Sequence, residues 1–429
     1  TFLKNLWGGK VGYSSHDKDQ TGCIVAAALG ADFIERHITL NKESEGLDHS
    51  SSSSIEEMKL LVEQLNRVVY QRRGNCERKI NQGEIINLQN LGRSYYATRN
   101  IVSGEKLQSH DFEYRTPRTG YGYKEFQSKI GKVIENTISK GDVLSGFHFT
   151  KKDKLQNNNK FDNKYLKNVS LPVRLHDIEA IRNKFKIKNL ECHLSFGEVL
   201  GDKNLSLFRP DECYSIHIPD YISSTQLIDP FSKNKLIKEQ SINIIENITE
   251  LAKSLYEITN KKVILVGSFS VYENNKSIFY NNLKKLSETL NNEKLQLCYQ
   301  ILPPFAWYFG GSVKVNIFDS LEDYDYIADY SLPVCVDLSH LLMSSYFYKF
   351  DPIKAYKILE PHAVHFHISG ADGADGEGES LGNLNKENIV ILDEMIKSNK
   401  KSVIEIWQGH LNVYNGFTQE LNTLSSLYK

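Results

Sequence analysis

No uninterrupted run of about 18 apolar residues occurs in this chain, so nothing in it is suited to cross a bilayer as a helix. The N-terminus has no basic stretch, apolar core and small-residue cleavage pattern, so a secretory signal is not expected there. Neither sign of charge is in excess: 52 Lys and Arg against 53 Asp and Glu leave a formal net charge of −1. That balance removes the electrostatic footprint expected of a nucleic-acid-binding surface. Cysteine is sparse, and Cys23, Cys76, Cys192, Cys213, Cys298 and Cys335 include no C-x-x-C pair. A disulfide framework and a zinc ribbon are thereby excluded, and the expectation is reduced, mostly buried thiols in a cytoplasmic protein. An initiator methionine is also missing, since the chain opens Thr1-Phe2-Leu3. Together with the motifs below, this leads us to expect a piece of a longer protein.

What is present is the composition of a globular protein, 429 residues with 40% hydrophobic and 24% charged, enough for two or three domains. The first block, to about Gly74, alternates strand and helix. Val11–Ser14 and Asp32–Leu40 read as strands and Thr21–Ala31 as a helix. Ile55–Arg73 reads as an amphipathic helix with Met58, Leu61, Leu65 and Val69 on one face. This is βα repetition, the pattern of a parallel barrel or sheet. The second block, Tyr95–Phe149, repeats itself. Ile101-x-x-Gly104-Glu105-x-Leu107 followed by Phe112 is echoed by Ile138-x-x-Gly141-Asp142-x-Leu144 followed by Phe149. Two such copies predict a pseudo-symmetric β-rich module with a tight turn at each glycine. Lys151–Lys167, centred on Asn157-Asn158-Asn159, reads as a polar linker.

The third block offers eight strand candidates: Ser170–Leu175, Leu190–Ser195, Tyr214–Ile218, Lys262–Gly267, Leu295–Ile301, Pro333–Asp337, Ala363–Ile368 and Ser402–Ile406. Helical stretches separate most of them, and eight βα units in a block of this size predict a TIM barrel. The expected fold class is α/β: a partial barrel over 1–80, a small β-rich domain over 92–150, a linker over 151–167 and a complete (β/α)8 barrel over 168–429.

Gly12-Tyr13-Ser14-Ser15-His16 closes the first strand and Ile34-Glu35-Arg36-His37 lies near the end of the next. Adjacent parallel strands run about 4.8 Å apart, so His16 and His37 are able to share one divalent ion such as Mn²⁺. Two core-edge histidines with backbone partners satisfy the same spacing equally well. The order Gly12-Tyr13-Ser14-x-His16, Ile34-Glu35-x-His37, Asp48-His49 resembles the end of the sialic acid synthase barrel, strands seven and eight. Arg93-Ser94, Gly104-Glu105, Pro117-x-x-Gly120, Ile130-Gly131-Lys132 and Lys140-Gly141 resemble the antifreeze-like (SAF) domain that follows it. The resemblance implies condensation of phosphoenolpyruvate with an open-chain N-acetylmannosamine-like sugar. It implies His16 and His37 as ligands of Mn²⁺ or Mg²⁺, Ser14 as a phosphate contact and Asp48 as a sugar contact. It also implies a homodimer in which the lid of one chain covers the barrel of the other. Ser15 departs from the family's aspartate. Thr116 stands where the family has an arginine, with Arg115 and Arg118 on either side as candidate substitutes. Strands one to six are missing, so this stretch alone is not expected to catalyse the condensation.

In the third block, polar groups gather at strand ends: His217-Ile218-Pro219, Gln300 before Pro303-Pro304, Asp337-Leu338-Ser339-His340, His365-Phe366-His367 and Glu405. Acids and a histidine converging at one barrel mouth form a divalent-metal constellation. The block resembles the xylose-isomerase-like sugar isomerases and epimerases, whose ligands are a glutamate, an aspartate, a histidine and a glutamate on the last four strands. The resemblance implies Gln300, Asp337, His367 and Glu405 as ligands of Mn²⁺ or Zn²⁺. It further implies His340 and Glu405 as catalytic groups and a sugar or sugar phosphate as ligand. Gln300 brings no charge and no base, so a degenerate, sugar-binding or scaffolding barrel stays open beside an active one. A related three-zinc nuclease is disfavoured, because Val266-Gly267-Ser268 lacks a histidine and Glu377 stands where that family has one. Gly370–Gly382 reads as an acidic glycine-rich lid or a solvated connection, Phe305–Phe309 as an aromatic surface for a sugar face or for the core, and Ser50–Ser54 as a solvated loop.

Overall fold

A computed structural model describes residues 2–72, 82–149, 166–201, 203–272, 275–374 and 376–428. The expected linker falls largely outside the described residues, as do Cys76, Arg73 and Asp375. The chain divides into two compact units, Thr1–Lys79 and Ile80–Lys429.

The first unit is two βα repeats. Strands Gly12–Ser15 and Phe33–Arg36 pair in parallel, with Gly12 opposite Phe33 and Ser15 opposite Arg36. Helix Thr21–Ala28 joins them, and helix Ile55–Arg72 follows. The second strand ends four residues earlier than the sequence pattern reads. Beyond it Ile38 makes a single bridge to Ser53, with Thr39 N donating to Ser53 O and Ser53 N to His37 O. The serine run is therefore not the solvated loop expected. Ser52 and Ser53 are buried, and Ser53 Oγ accepts from Arg36 Nε at 2.7 Å. A two-stranded sheet cannot cover a long helix: on the predicted apolar face Leu61 is buried but Val69 is exposed.

In the second unit, helix Gln82–Leu91 precedes the β-rich module. The repeat is expressed in its backbone. Ile101 and Ile138 exchange both hydrogen bonds, Ile134 N donates to Glu105 O as Ala97 N does to Asp142 O, and Leu107 and Leu144 are both fully buried. Each copy turns on a glycine at positive φ, Gly104 at 97° and Gly141 at 90°, which any Cβ would strain. The acid after each glycine caps its own turn. Glu105 accepts from Val102 N at 2.8 Å and Asp142 from Ser139 N at 3.0 Å.

The remainder is a closed parallel barrel of eight strands: Val169–Val173, Asn189–His193, Cys213–His217, Val263–Gly267, Leu295–Gln300, Val334–Asp337, Ala363–Ile368 and Ser402–Ile404, numbered one to eight below. All eight lie within or within a residue of their predicted spans. Several, such as Val263–Gly267, are near-continuous apolar runs because both faces of a parallel sheet are covered. The longest helix, Lys235–Thr259, starts where Asn234 accepts from Leu236 N and ends at Asn260 in the left-handed region. It buries Ile244, Ile248, Leu251 and Leu255 along one side. No described helix is long and apolar enough to cross a membrane. The described cysteines are free, with Cys23, Cys192, Cys298 and Cys335 buried and Cys213 partly so.

Candidate metal centres

Parallel pairing sends His16 and His37 off the same edge of the first unit's sheet. Their ring centroids stand 4.4 Å apart with planes at 86°. Asp48 places Oδ1 3.9 Å from His37 Nδ1, a buried nitrogen without a hydrogen-bond partner. One ligand atom from each of His16, His37 and Asp48 lies within 4.8 Å of the others, a spacing that bonds of about 2.1 Å to a common ion can bridge. Asp48, expected at the sugar, is thus brought to the histidines as a third donor. Ser14 is exposed on the neighbouring strand, opposite Glu35. Ser15, which lacks the family's carboxylate, donates to Asp17 at 3.1 Å and accepts from Arg36 Nη1 at 3.0 Å. Arg36 also reaches the carbonyls of Asp17 and Ser51, so one guanidinium holds the loops after both strands.

Arg115 and Arg118 belong to the β-rich module of the second unit. Arg115 pairs with Glu113 at 2.7 Å and lies 4.1 Å over the Tyr96 ring; Arg118 reaches Glu125 at 3.4 Å.

At the carboxyl end of the second unit's barrel, strand six delivers Asp337 as the cap of helix Leu338–Tyr348. Oδ1 accepts from His340 N at 3.1 Å, which leaves Oδ2 turned to the mouth. Oδ2 stands 3.6 Å from His367 Nδ1 on strand seven, and Glu405 Oε2, just after strand eight, stands 2.5 Å from the same nitrogen. Asp337, His367 and Glu405 form a second three-donor cluster within 4.8 Å. Burial opposes the charge on Glu405, yet the imidazoles of His367, His193 and His217 hold it well below the carboxylate range. Gln300, from strand five, joins differently from the expected carbonyl ligand. Its amide Nε2 donates to Asp337 Oδ2 at 2.9 Å and lies 3.0 Å from His367 Nδ1. Oε1 turns away, accepting from Ser268 Oγ at 2.6 Å beside His217 Nε2 at 3.0 Å. The amide nitrogen thus bridges two of the three donors.

The cluster opens into a cavity of about 590 Å³. His340 sits in its wall, with Nδ1 2.7 Å from Ile301 O and Nε2 3.1 Å from Glu377 Oε1. Burial works against its charge, but Asp337 and Glu377 push it up to about 10. Ala306, Trp307 and Tyr308 of the aromatic run line the cavity, whereas Phe305 turns to Phe347 at 5.1 Å. The acidic loop after strand seven is a hairpin, Gly370–Asp372 paired with Gly376–Glu379, and it brings Glu377 into the wall. Gly378 is required there: φ is 70°, and a Cβ would sit 2.6 Å from Trp407 N.

Sequence reasoning gave no role to Glu191, His193 or Asp220. Glu191 and His193 occupy alternate positions of strand two and so point into the barrel together, the same i, i+2 signal carried by His365 and His367. Asp220 lines the cavity with Oδ1 buried and unpartnered; burial raises it to about 6, with Glu405 and Glu377 adding to the effect and His217 opposing it.

A closed eight-stranded parallel barrel with a donor cluster at its carboxyl end is the architecture of the TIM-barrel class. Residues 162–400, more than half the chain, match the xylose isomerase-like TIM barrel family, and the chain belongs to that family. Residues 1–77 match the NeuB family. Among curated relatives, an uncharacterised protein of Methanocaldococcus jannaschii is 34% identical over 142 residues, 33% of this chain and 42% of that protein. The N,N'-diacetyllegionaminic acid synthase of Campylobacter jejuni is 28% identical over 142 residues, with the same shares. Human N-acetylneuraminate-9-phosphate synthase is 30% identical over 135 residues, 31% of this chain and 37% of that enzyme. The chain spans about two fifths of the length of these relatives.

Proposed function

We propose that this chain carries the terminal part of a sialic-acid-type sugar-acid synthase joined to a metal-dependent sugar isomerase or epimerase barrel. The observation that carries the reading is two three-donor clusters: His16, His37 and Asp48 beyond the strands of the first unit, and Asp337, His367 and Glu405 at the carboxyl end of the barrel. In the first unit His16, His37 and Asp48 hold Mn²⁺ or Mg²⁺, and Ser14 faces the phosphate of phosphoenolpyruvate. The module over 92–150 is an SAF-type lid, with Arg115 or Arg118 meeting the amino sugar in a homodimer. Bound at either cluster, the ion supplies Lewis-acid polarisation of a sugar carbonyl. In the second unit Asp337, His367 and Glu405 are the ligands. His340, held charged between Asp337 and Glu377, donates to a substrate oxygen, and Trp307 offers a ring to a sugar face.

Two assays test this. The condensation is read as phosphate release from phosphoenolpyruvate with N-acetylmannosamine, on the chain co-produced with the remaining synthase strands. His16→Ala and His37→Ala are expected to retain less than about a tenth of the parent rate; higher activity in either removes the shared-ion reading. The barrel is read in deuterium oxide with Mn²⁺ and a panel of ketoses and their phosphates. Solvent deuterium entering a substrate C–H bond supports isomerase chemistry. Binding without exchange supports the sugar-binding alternative, which the neutral Gln300 favours.

A further inference from the structure

One element of the second unit reaches the barrel from outside the barrel's own sequence. The helix Gln82–Leu91 precedes the β-rich module and lies well before residues 162–400, which match the barrel family. It nonetheless meets two hairpins beside the barrel mouth, one after strand five and one after strand seven.

The first hairpin is Phe305–Tyr308 paired with Gly311–Lys314, and the contact there is steric. Gly83 is buried, and a Cβ built on it would overlap Cη2, Cζ3 and Cζ2 of Trp307. No side chain fits at position 83, so the helix backbone itself covers the six-membered ring of the indole. Asn87 lies one turn further along, on the same helix face. Its Oδ1 stands 3.9 Å from where a Cβ of Gly310 would be, at the turn of that hairpin.

At the second hairpin the contact is polar. Gln82 Nε2 donates to Glu377 O at 3.0 Å, and Gln82 Oε1 accepts from Glu377 N at 3.4 Å. One side-chain amide therefore meets both the donor and the acceptor of the Glu377 main chain. Gly376 and Gly378 flank Glu377, and glycine gives such a stretch little packing of its own. Its place depends on outside partners.

Both residues held in this way belong to the cavity. Trp307 and Glu377 line it, and Glu377 Oε1 lies 3.1 Å from His340 Nε2. Gln82 and Gly83 are not among the lining residues, so any effect on a ligand passes through those two. We propose that Gln82 and Gly83 are positioning residues for the barrel cavity. Gln82 holds Glu377, and Gly83, by lacking a side chain, seats the helix behind Trp307. The consequence for ligands rests on the reading of the cavity as a sugar site; the seating of the helix does not.

The full chain labelled with 5-fluorotryptophan gives ¹⁹F resonances for Trp7, Trp307 and Trp407, assigned by replacing each with phenylalanine. Alanine is the best helix former, so Gly83→Ala does not weaken the helix itself. Its added methyl group overpacks the contact, and the Trp307 resonance is expected to shift while that of Trp7 stays. In Gln82→Ala, the Glu377 amide is expected to exchange with deuterium severalfold faster, because it has lost an acceptor. A sugar of the panel above that shifts the parent's Trp307 resonance is expected to bind Gly83→Ala about tenfold more weakly. An unmoved Trp307 resonance in Gly83→Ala, or parent-like exchange at Glu377 in Gln82→Ala, overturns the proposal. A variant that only melts earlier, with both signals as in the parent, does so too. If Gly83→Ala fails to fold, Glu377 exchange in Gln82→Ala decides, faster exchange supporting the role and parent-like exchange overturning it. If no sugar shifts Trp307 in the parent, the sugar reading of the cavity fails, while a moved Trp307 resonance and faster Glu377 exchange still support the positioning role.

Discussion

A single amide decides the character of the barrel mouth. Gln300 reaches both Asp337 and His367 through Nε2 while Ser268 and His217 take its oxygen. His217 Nδ1 lies 3.0 Å from Ile218 O, a contact that needs a proton on that nitrogen. Its Nε2 is then an acceptor when the ring is neutral and would prefer the amide nitrogen to the oxygen. An ion at Asp337 satisfies both preferences at once if the amide turns over, carbonyl to the ion and NH₂ to Ser268 and His217. A carboxylate at position 300 would bring a full charge to the same place. Gln300→Glu is therefore expected to bind Mn²⁺ at least about tenfold more tightly than the parent by titration calorimetry, since a carboxylate adds a full negative charge beside the dication. Equal affinity would mean that position 300 does not meet the ion.

Elements that depend on local pattern are legible in the amino-acid sequence, and elements that depend on distant partners are not. The eight barrel strands announce themselves as largely apolar runs, and five of them carry polar residues at or just beyond their carboxyl ends. The repeat at Ile101 and Ile138 announces a symmetric module whose two copies then bond to each other. Ser53 reads as a loop residue because nothing nearby says that Arg36, far back in the chain, will bury against it. Glu191 reads as an ordinary strand residue because its partners come from strands three and seven. The same long-range logic governs the module's acid sensitivity. Asp111 is buried and takes two bonds from Arg99, at 2.7 and 2.9 Å, and Glu105 takes a third. Arg99 holds both carboxylates below their usual range, against the opposing effect of burial. A depressed carboxylate contributes stability that is fully present above its unfolded value, about 3.9 for Asp, and is lost as pH falls through the folded value. Arg99→Ala should therefore lose the module's structure at a higher pH than the parent. Hydrogen exchange at the Ile101 and Ile138 amides reads this directly, and an unchanged acid limit would dismiss the network as a source of stability.

At the scale of the whole molecule, the two donor clusters belong to separate units, and their chemistry differs in a way that predicts different affinities. His16 and Asp48 are exposed, so water competes at that site and its ligands are held by loops alone. His367 and Asp337 are buried, with Asp337 pinned as a helix cap and His367 contacted by Glu191 from behind. Ligands already held in place lose less freedom on binding, so an ion at the barrel mouth is expected to be held more tightly than one at His16, His37 and Asp48. Groups in separate units that share no partners should act additively. Elemental analysis after equilibrium dialysis against saturating Mn²⁺ is therefore expected to give about two ions per chain, the additive sum of the two sites. As Mn²⁺ is lowered, the first to leave is the one that His16→Ala removes. Asp337→Ala should remove the tighter ion and leave the weaker, and the double variant should retain almost none. Loss of both ions on either single substitution would break the independence of the two sites. Retention of both in the double variant would place the metal somewhere other than these six residues.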